Sequence, residues 1–311
     1  MQNEVFRKMR LAGCSVYTAK GDAMKKKTRR IINIVLIAVL VVGIVYFSVS
    51  QWTYYESRRD YQEALQITDS TEPVLPATQA VEEAPAQEPT EALAPEAEAE
   101  QENQAQLREV LQNPTVKELL QIDLDALREV NEDVIGWIHI PDTVISYPLL
   151  HWTDNDFYLN HTWMQTKNSG GAIFMECENE PDFSDFNTII YGHNLLDDSM
   201  FGGLSKYKNE EYAKEHPSIY IVTDRGVFCY DVFAAHRVGI DTIMYATDLT
   251  TEYRKEEFLR FTKDYSRVDL GKEPAVSDKI LTLSTCSGGH DARWVVQGML
   301  VESKSYSFPE T

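Results

Sequence analysis

A thiol, an imidazole and a guanidinium each stand at the edge of an apolar run in this chain. Lys279-Ile-Leu-Thr-Leu-Ser-Thr-Cys286 delivers a cysteine to the end of a strand pattern, and Arg293 opens the next apolar run seven residues later. About ninety residues upstream, Thr188-Ile-Ile-Tyr-Gly-His193-Asn194 closes another apolar run on a histidine. Together these are the parts of a cysteine acyl-transfer site. Cys286 would be the nucleophile, His193 its proton partner and Arg293 a fixed positive charge for an oxyanion.

A cysteine at a strand end is more often a small buried hydrophobe than a nucleophile. Here its neighbours Ser284, Thr285, Ser287, Gly288 and Gly289 are small, which leaves room for a substrate backbone. Arg293 falls on what would be the adjacent antiparallel strand, where a guanidinium favours the thiolate. His290 competes with His193 for the imidazole role, but a Gly-rich loop constrains geometry less than a rigid strand end. The other histidines (His139, His151, His161, His216, His236) lack metal-ligand spacing, so no metal and no cofactor is expected. Gly202-Gly203 has no Gly-Lys-Ser/Thr after it and is not a phosphate loop.

The elements that must position these groups follow an unusual start. Ile31 to Phe47 is apolar apart from Asn33 and Gly43, and Val49 extends the run. That gives about 30 Å of helix, enough to cross a bilayer and longer than the apolar core of a cleaved signal. Lys25-Lys-Lys-Thr-Arg-Arg30 precedes it, and Trp52, Tyr54 and Tyr55 follow. Basic residues stay cytoplasmic and aromatic rings settle at the interface, so residues 1–30 are expected in the cytosol, 31–52 as a signal anchor in membrane lipid, and the rest outside. The formal net charge of −20 hides an asymmetry, residues 1–30 being strongly basic and the rest strongly acidic, and the acidic outer part excludes nucleic acid as an expected partner. Cys14, Cys177, Cys229 and Cys286 form no disulfide framework; a Cys177–Cys229 bridge stays open, and Cys286 is left as a free extracellular thiol.

Residues 53–106 read as an acidic linker, with Thr71 to Gln106 mostly Ala, Pro, Glu and Gln and too polar to offset the entropy of ordering. About fifty such residues reach near 40 Å, holding the following domain off the membrane. In that domain, residues 107–311, one amphipathic helix is expected over Val116–Asn131, then short strands separated by turn clusters, with helical patterns at Asn209–Glu215 and Thr251–Tyr265. The pattern predicts a mainly β fold: a barrel decorated with helices.

At Thr282-Leu-Ser-Thr-Cys286 and Tyr191-Gly-His193-Asn194 the chain resembles a sortase, the cysteine transpeptidase of Gram-positive bacteria, and specifically class B. Asn155-Asp-Phe-Tyr-Leu159-Asn, Gly171-Ala-Ile-Phe-Met175 and Ser199-Met-Phe-Gly202 resemble that class in order and spacing, over roughly residues 115–303. The resemblance implies an eight-stranded barrel with a helix inserted before the cysteine strand, which Thr251–Tyr265 fits. It implies that Cys286 attacks the threonine carbonyl of a C-terminal sorting motif of Asn-Pro-x-Thr type on surface proteins. His193 would then protonate the leaving amine and activate the incoming one, while Arg293 binds the oxyanion. An amine of a peptidoglycan precursor would resolve the thioester. Asn155, Leu159, Tyr191, Ser284, Met244 and Tyr245 are the implied substrate contacts. Two other readings remain: a sortase joining pilins through a lysine amine, and a surface binding module that has lost activity.

Overall fold

The computed structural model describes residues 32–49, 52, 55, 58–68, 108, 110–289 and 292–307, and for 286–289 the backbone alone. The basic tail and residues 69–106 of the expected linker lie outside the described residues. The chain divides into two units, Met1–Tyr55 and Glu56–Thr311. In the first, α1 (Ile32–Val49) is 18 residues long with a mean hydropathy of 2.7, apolar enough to cross a membrane.

The second unit begins with α2 (58–68), and here the structure departs from the expected linker. Tyr61 and Ala64 are buried three residues apart on one helix face, with Thr68 on the same side. Tyr61 Oη donates to Gly171 O at 2.9 Å, and its ring meets Tyr147 edge-on at 4.9 Å. Trp163 Nε1 donates to Asp60 O at 2.8 Å. Residues 58–68 therefore belong to the folded domain. One apolar face is enough to dock them, despite a polar, charged composition overall.

The single amphipathic helix expected over Val116–Asn131 is two, α3 (Pro114–Leu119) and α4 (Leu124–Val130). Asn113 caps α3 by accepting from Thr115 N, and Asp123 caps α4 by accepting from Ala126 N. A second N-cap in mid-pattern ends the first helix and starts the next without breaking the apolar spacing. Both helices bury their apolar residues, Val116 and Leu119, then Leu124 and Leu127.

Nine strands follow in one sheet: β1 (Val134–His139), β2 (Ser146–Leu150), β3 (Ile173–Met175), β4 (Asn187–Tyr191), β5 (Ser218–Thr223), β6 (Gly226–Gly239), β7 (Ile280–Gly289), β8 (Ala292–Leu300) and β9 (Tyr306–Ser307). Their order is β5-β1-β2-β3-β4-β7-β8-β6-β9, and β5 also pairs with β6. That second pairing closes an eight-stranded barrel, and β9 adds two residues to the outside of β6. The β2–β3 and β4–β7 pairs are parallel and the rest antiparallel. Trp137, Ile138, Leu149, Phe174, Ile190, Leu281, Leu283 and Val296 are buried in the larger core cluster.

A second cluster lies under α6 (Glu252–Tyr265), where Phe258 meets Phe186 edge-on at 5.7 Å beside Met244, Phe233 and Val295. Thr251 caps α6 by accepting from Arg254 N, and Asn209 caps the short α5 (Glu210–Glu215). Both helices stand where the helical patterns predicted them.

Candidate active site

Register brings the three chemical residues to one end of the barrel. Parallel pairing sets Tyr191 of β4 opposite Ser284 of β7, and Gly192 N donates to Ser284 O at 3.2 Å. His193 is the next residue, carried just past the strand end. Antiparallel pairing sets Cys286 of β7 opposite Arg293 of β8, followed by a register shift before Gly289 meets Ala292. Imidazole, thiol and guanidinium thus come from three neighbouring strands, β4, β7 and β8.

His193 is held from several sides. Its Nε2 lies 2.7 Å from Leu159 O. A carbonyl only accepts, so Nε2 carries the hydrogen and Nδ1 is the nitrogen left for proton exchange. Phe201 N donates to His193 O at 2.9 Å, fixing the backbone as well. Two glycines make the close approach. A Cβ on Gly171, whose φ is +59°, would stand 2.7 Å from His193 Cδ2 and 2.7 Å from Tyr158 O. A Cβ on Gly192 would meet Ile173 Cδ1 at 2.5 Å. Arg293 is half-buried, with Nη1 donating to Ala292 O at 3.2 Å.

The residues expected to touch substrate form two linked groups. Asn155 Nδ2 donates to Glu176 Oε1 at 2.6 Å, its Oδ1 accepts from Cys177 N at 2.9 Å, and Tyr191 Oη donates to Glu176 Oε2 at 2.7 Å. On the other side, Tyr245 Oη and Ser284 Oγ are 2.8 Å apart. The Tyr191 and Tyr245 rings stack at 6.4 Å, joining the groups. Leu159 ends the 3-10 turn Phe157–Leu159 and supplies the carbonyl for His193.

Met244 does not join them. Its side chain is fully buried in the cluster under α6, with Thr262 Oγ1 at 3.6 Å from its sulfur. A 3-10 turn separates adjacent side chains by about a third of a circle, so Tyr245 reaches Ser284 while Met244 points into the core. The turn is tied down by a buried polar chain. Gln297 Nε2 donates to Thr282 Oγ1 at 3.1 Å, Thr282 donates to Asn187 Oδ1 at 2.6 Å, and Asn187 Nδ2 donates to Met244 O at 3.2 Å.

Glu176 and Asn187 were invisible in the sequence. A charge after a three-residue apolar strand looks like the solvent boundary, and Asn187 looks like a turn residue before β4; no local pattern marks either. Burial works against the charge of Glu176, but donors from Asn155, Tyr191 and Cys177 outweigh it and hold the carboxyl below its usual range. Burial and then the Glu176 charge push the Tyr191 phenol well above its ordinary value. Cys177 and Cys229 are both free thiols, half-buried and buried, so the bridge left open above is not made.

The model for the sortase domain matches residues 138–301, more than half of the chain. This chain belongs to the sortase family. Sortase B of Listeria monocytogenes is 36% identical over 182 residues, covering 58% of this chain and 74% of that one. Sortase B of Staphylococcus aureus is 31% identical over 166 residues, covering 53% and 68%. Among solved structures, sortase B from Bacillus anthracis in complex with AAEK1 matches with a TM-score of 0.60 at 27% identity, covering 80% of this chain and 98% of that one. The Staphylococcus aureus sortase B–substrate complex matches with a TM-score of 0.56 at 27% identity, covering 67% and 98%. These relatives are all class B, and this sortase is a class B cysteine transpeptidase.

Proposed function

We propose that this sortase cleaves surface proteins after the threonine of a C-terminal Asn-Pro-x-Thr-type motif and joins them to an amine of a peptidoglycan precursor. The observation that supports this most is the register just described: His193 two residues past Tyr191, and Cys286 opposite Arg293. In the first half-reaction the Cys286 thiolate attacks the threonine carbonyl carbon, and the Arg293 fork donates to the oxyanion that forms. The peptide C–N bond breaks as His193 Nδ1 gives its proton to the leaving amine, leaving a thioester. In the second, the incoming amine returns a proton to Nδ1 and attacks the thioester, and the new amide releases the thiolate. Asn155, Leu159, Tyr191, Ser284 and Tyr245 line the path of the motif.

The anchor reading rests on α1 and on the basic run 25–30 before it, which favours a cytosolic N-terminus and an outer catalytic domain. One solved relative is a sortase B complexed with triglycine, which is consistent with an amine second substrate in this chain too. The test uses the full chain in detergent with a panel of sorting-motif peptides and amine acceptors, read by product mass. Transfer from Asn-Pro-x-Thr peptides to an amine is the expected result. Transfer confined to an unrelated motif would overturn the substrate assignment.

A further inference from the structure

Glu176 lies at the end of β3 with its residue 8% exposed, between two half-buried side chains that come from different elements. Asn155 comes from the loop before the turn Phe157–Leu159, and Tyr191 from the last position of β4. The carboxylate accepts from both, at 2.6 Å and 2.7 Å, on separate oxygens. Oε1 also faces Cys177 Sγ at 3.3 Å. A carboxylate has four lone-pair sites and no hydrogen, so every partner here must donate.

That requirement fixes what the partners offer on their other side. Tyr191 has one hydroxyl hydrogen and spends it on Glu176, so Oη presents lone pairs elsewhere. Asn155 cannot turn over, because its Oδ1 accepts from Cys177 N at 2.9 Å. Its Nδ2 spends one hydrogen on Glu176 and keeps one. An extended peptide offers alternating N–H and C=O groups, which an acceptor beside a donor matches.

We propose that Glu176 is a positioning residue of the substrate groove, whose carboxylate makes Tyr191 Oη an acceptor toward the bound peptide and holds Asn155 Nδ2 beside it with one hydrogen left to donate. The proposal rests on the reading above that Asn155 and Tyr191 line the motif's path. Its test follows from the geometry. In Glu176→Gln the amide oxygen must take the Oε1 side, because Asn155 and Cys177 donate there. The new NH2 then takes the Oε2 side and donates to Tyr191 Oη. Tyr191 turns its hydrogen outward and becomes a donor where it was an acceptor. Size and packing are kept, the polarity of the hydroxyl is reversed, and the negative charge is lost; the Tyr191→Phe background separates the first change from the second.

The experiment compares the full chain and its variants on whichever panel peptide the wild type cleaves best. Glu176→Gln is expected to lower kcat/KM about tenfold, the scale of one mismatched buried hydrogen bond. Alkylation of Cys286 by iodoacetamide should stay at the wild-type rate. Glu176→Asp, which keeps an acceptor-only group, should recover part of the loss. In the Tyr191→Phe background, which has no hydroxyl to reverse, Glu176→Gln should change kcat/KM less than about twofold. Additive losses in the double variant would overturn the proposal, as would wild-type kcat/KM in Glu176→Gln alone. If the best peptide is not of the Asn-Pro-x-Thr type, the substrate class proposed above fails while the cycle still judges Glu176. If Glu176→Gln does not fold, Tyr191→Phe alone carries the test: loss of the acceptor should lower kcat/KM about tenfold, and a wild-type value contradicts the role.

Discussion

His193 spends Nε2 on the Leu159 carbonyl at 2.7 Å, and that single bond assigns Nδ1 to the proton transfers of the proposed mechanism. Arg293→Lys is expected to lower kcat/KM by about a hundredfold or more in a peptide-cleavage assay, because a point charge cannot replace a planar fork of donors. Gly171→Ala should act through His193. The new Cβ would stand 2.7 Å from its Cδ2, at a φ of +59° that side chains rarely adopt. We expect a loss of roughly 1–3 kcal/mol in chemical denaturation and a fall in kcat with little change in KM. That Cys286, His193 and Arg293 meet at one end of neighbouring strands was legible in sequence because each closes or opens an apolar run. Glu176 was not, since its role depends on Asn155 and Tyr191, twenty-one and fifteen residues away. Met244 lies apart from the groove because sequence adjacency to Tyr245 says nothing about which way a 3-10 turn aims each side chain.

Among the elements, α2 is the least expected and the most easily tested. Its Tyr61 is 5% exposed, packs on Tyr147 and donates to Gly171 O, the same glycine that lies against His193. Tyr61→Ala should cost about 3 kcal/mol or more in chemical denaturation, whereas Tyr61→Phe, which loses only the hydroxyl, should cost ~1 kcal/mol. Equal stability of all three chains would mean that α2 does not hold the domain. Composition hid this helix because the chain around it is polar and charged. Only the spacing of Tyr61, Ala64 and Thr68 signals a buried face, and three positions are too few to separate from chance. The strands, by contrast, were legible as short β-type runs separated by turn clusters. β6 runs far past its apolar core to Gly239, where pairing with β8 extends it.

At the scale of the whole molecule, local patterns predicted a barrel but not which strands pair in it. The parallel β2–β3 and β4–β7 pairs and the antiparallel β6–β8 pair join segments through contacts no local period encodes. Closure also buries a titratable group. His236 on β6 is fully buried, with no hydrogen-bond partner at either ring nitrogen among the described residues, and burial pushes it down to about 4. The folded chain therefore resists a proton that the unfolded chain takes up near pH 6.5, so stability falls as the pH drops from about 6.5 toward 4. The loss is on the order of 3 kcal/mol across that window. Urea midpoints at about pH 7 and about pH 5 should differ for the wild type and differ less for His236→Phe; parallel shifts in both would remove His236 as the cause.

Catalysis through a thioester on Cys286 is tested most directly by trapping. The full chain in detergent is incubated with its best sorting-motif peptide, quenched in acid, digested and mapped by mass spectrometry. The expected result is an acyl adduct on the fragment containing Cys286, which disappears when an amine acceptor is added and never forms in Cys286→Ala. Cleavage that persists in Cys286→Ala, or an adduct carried by Cys177 instead, would contradict it.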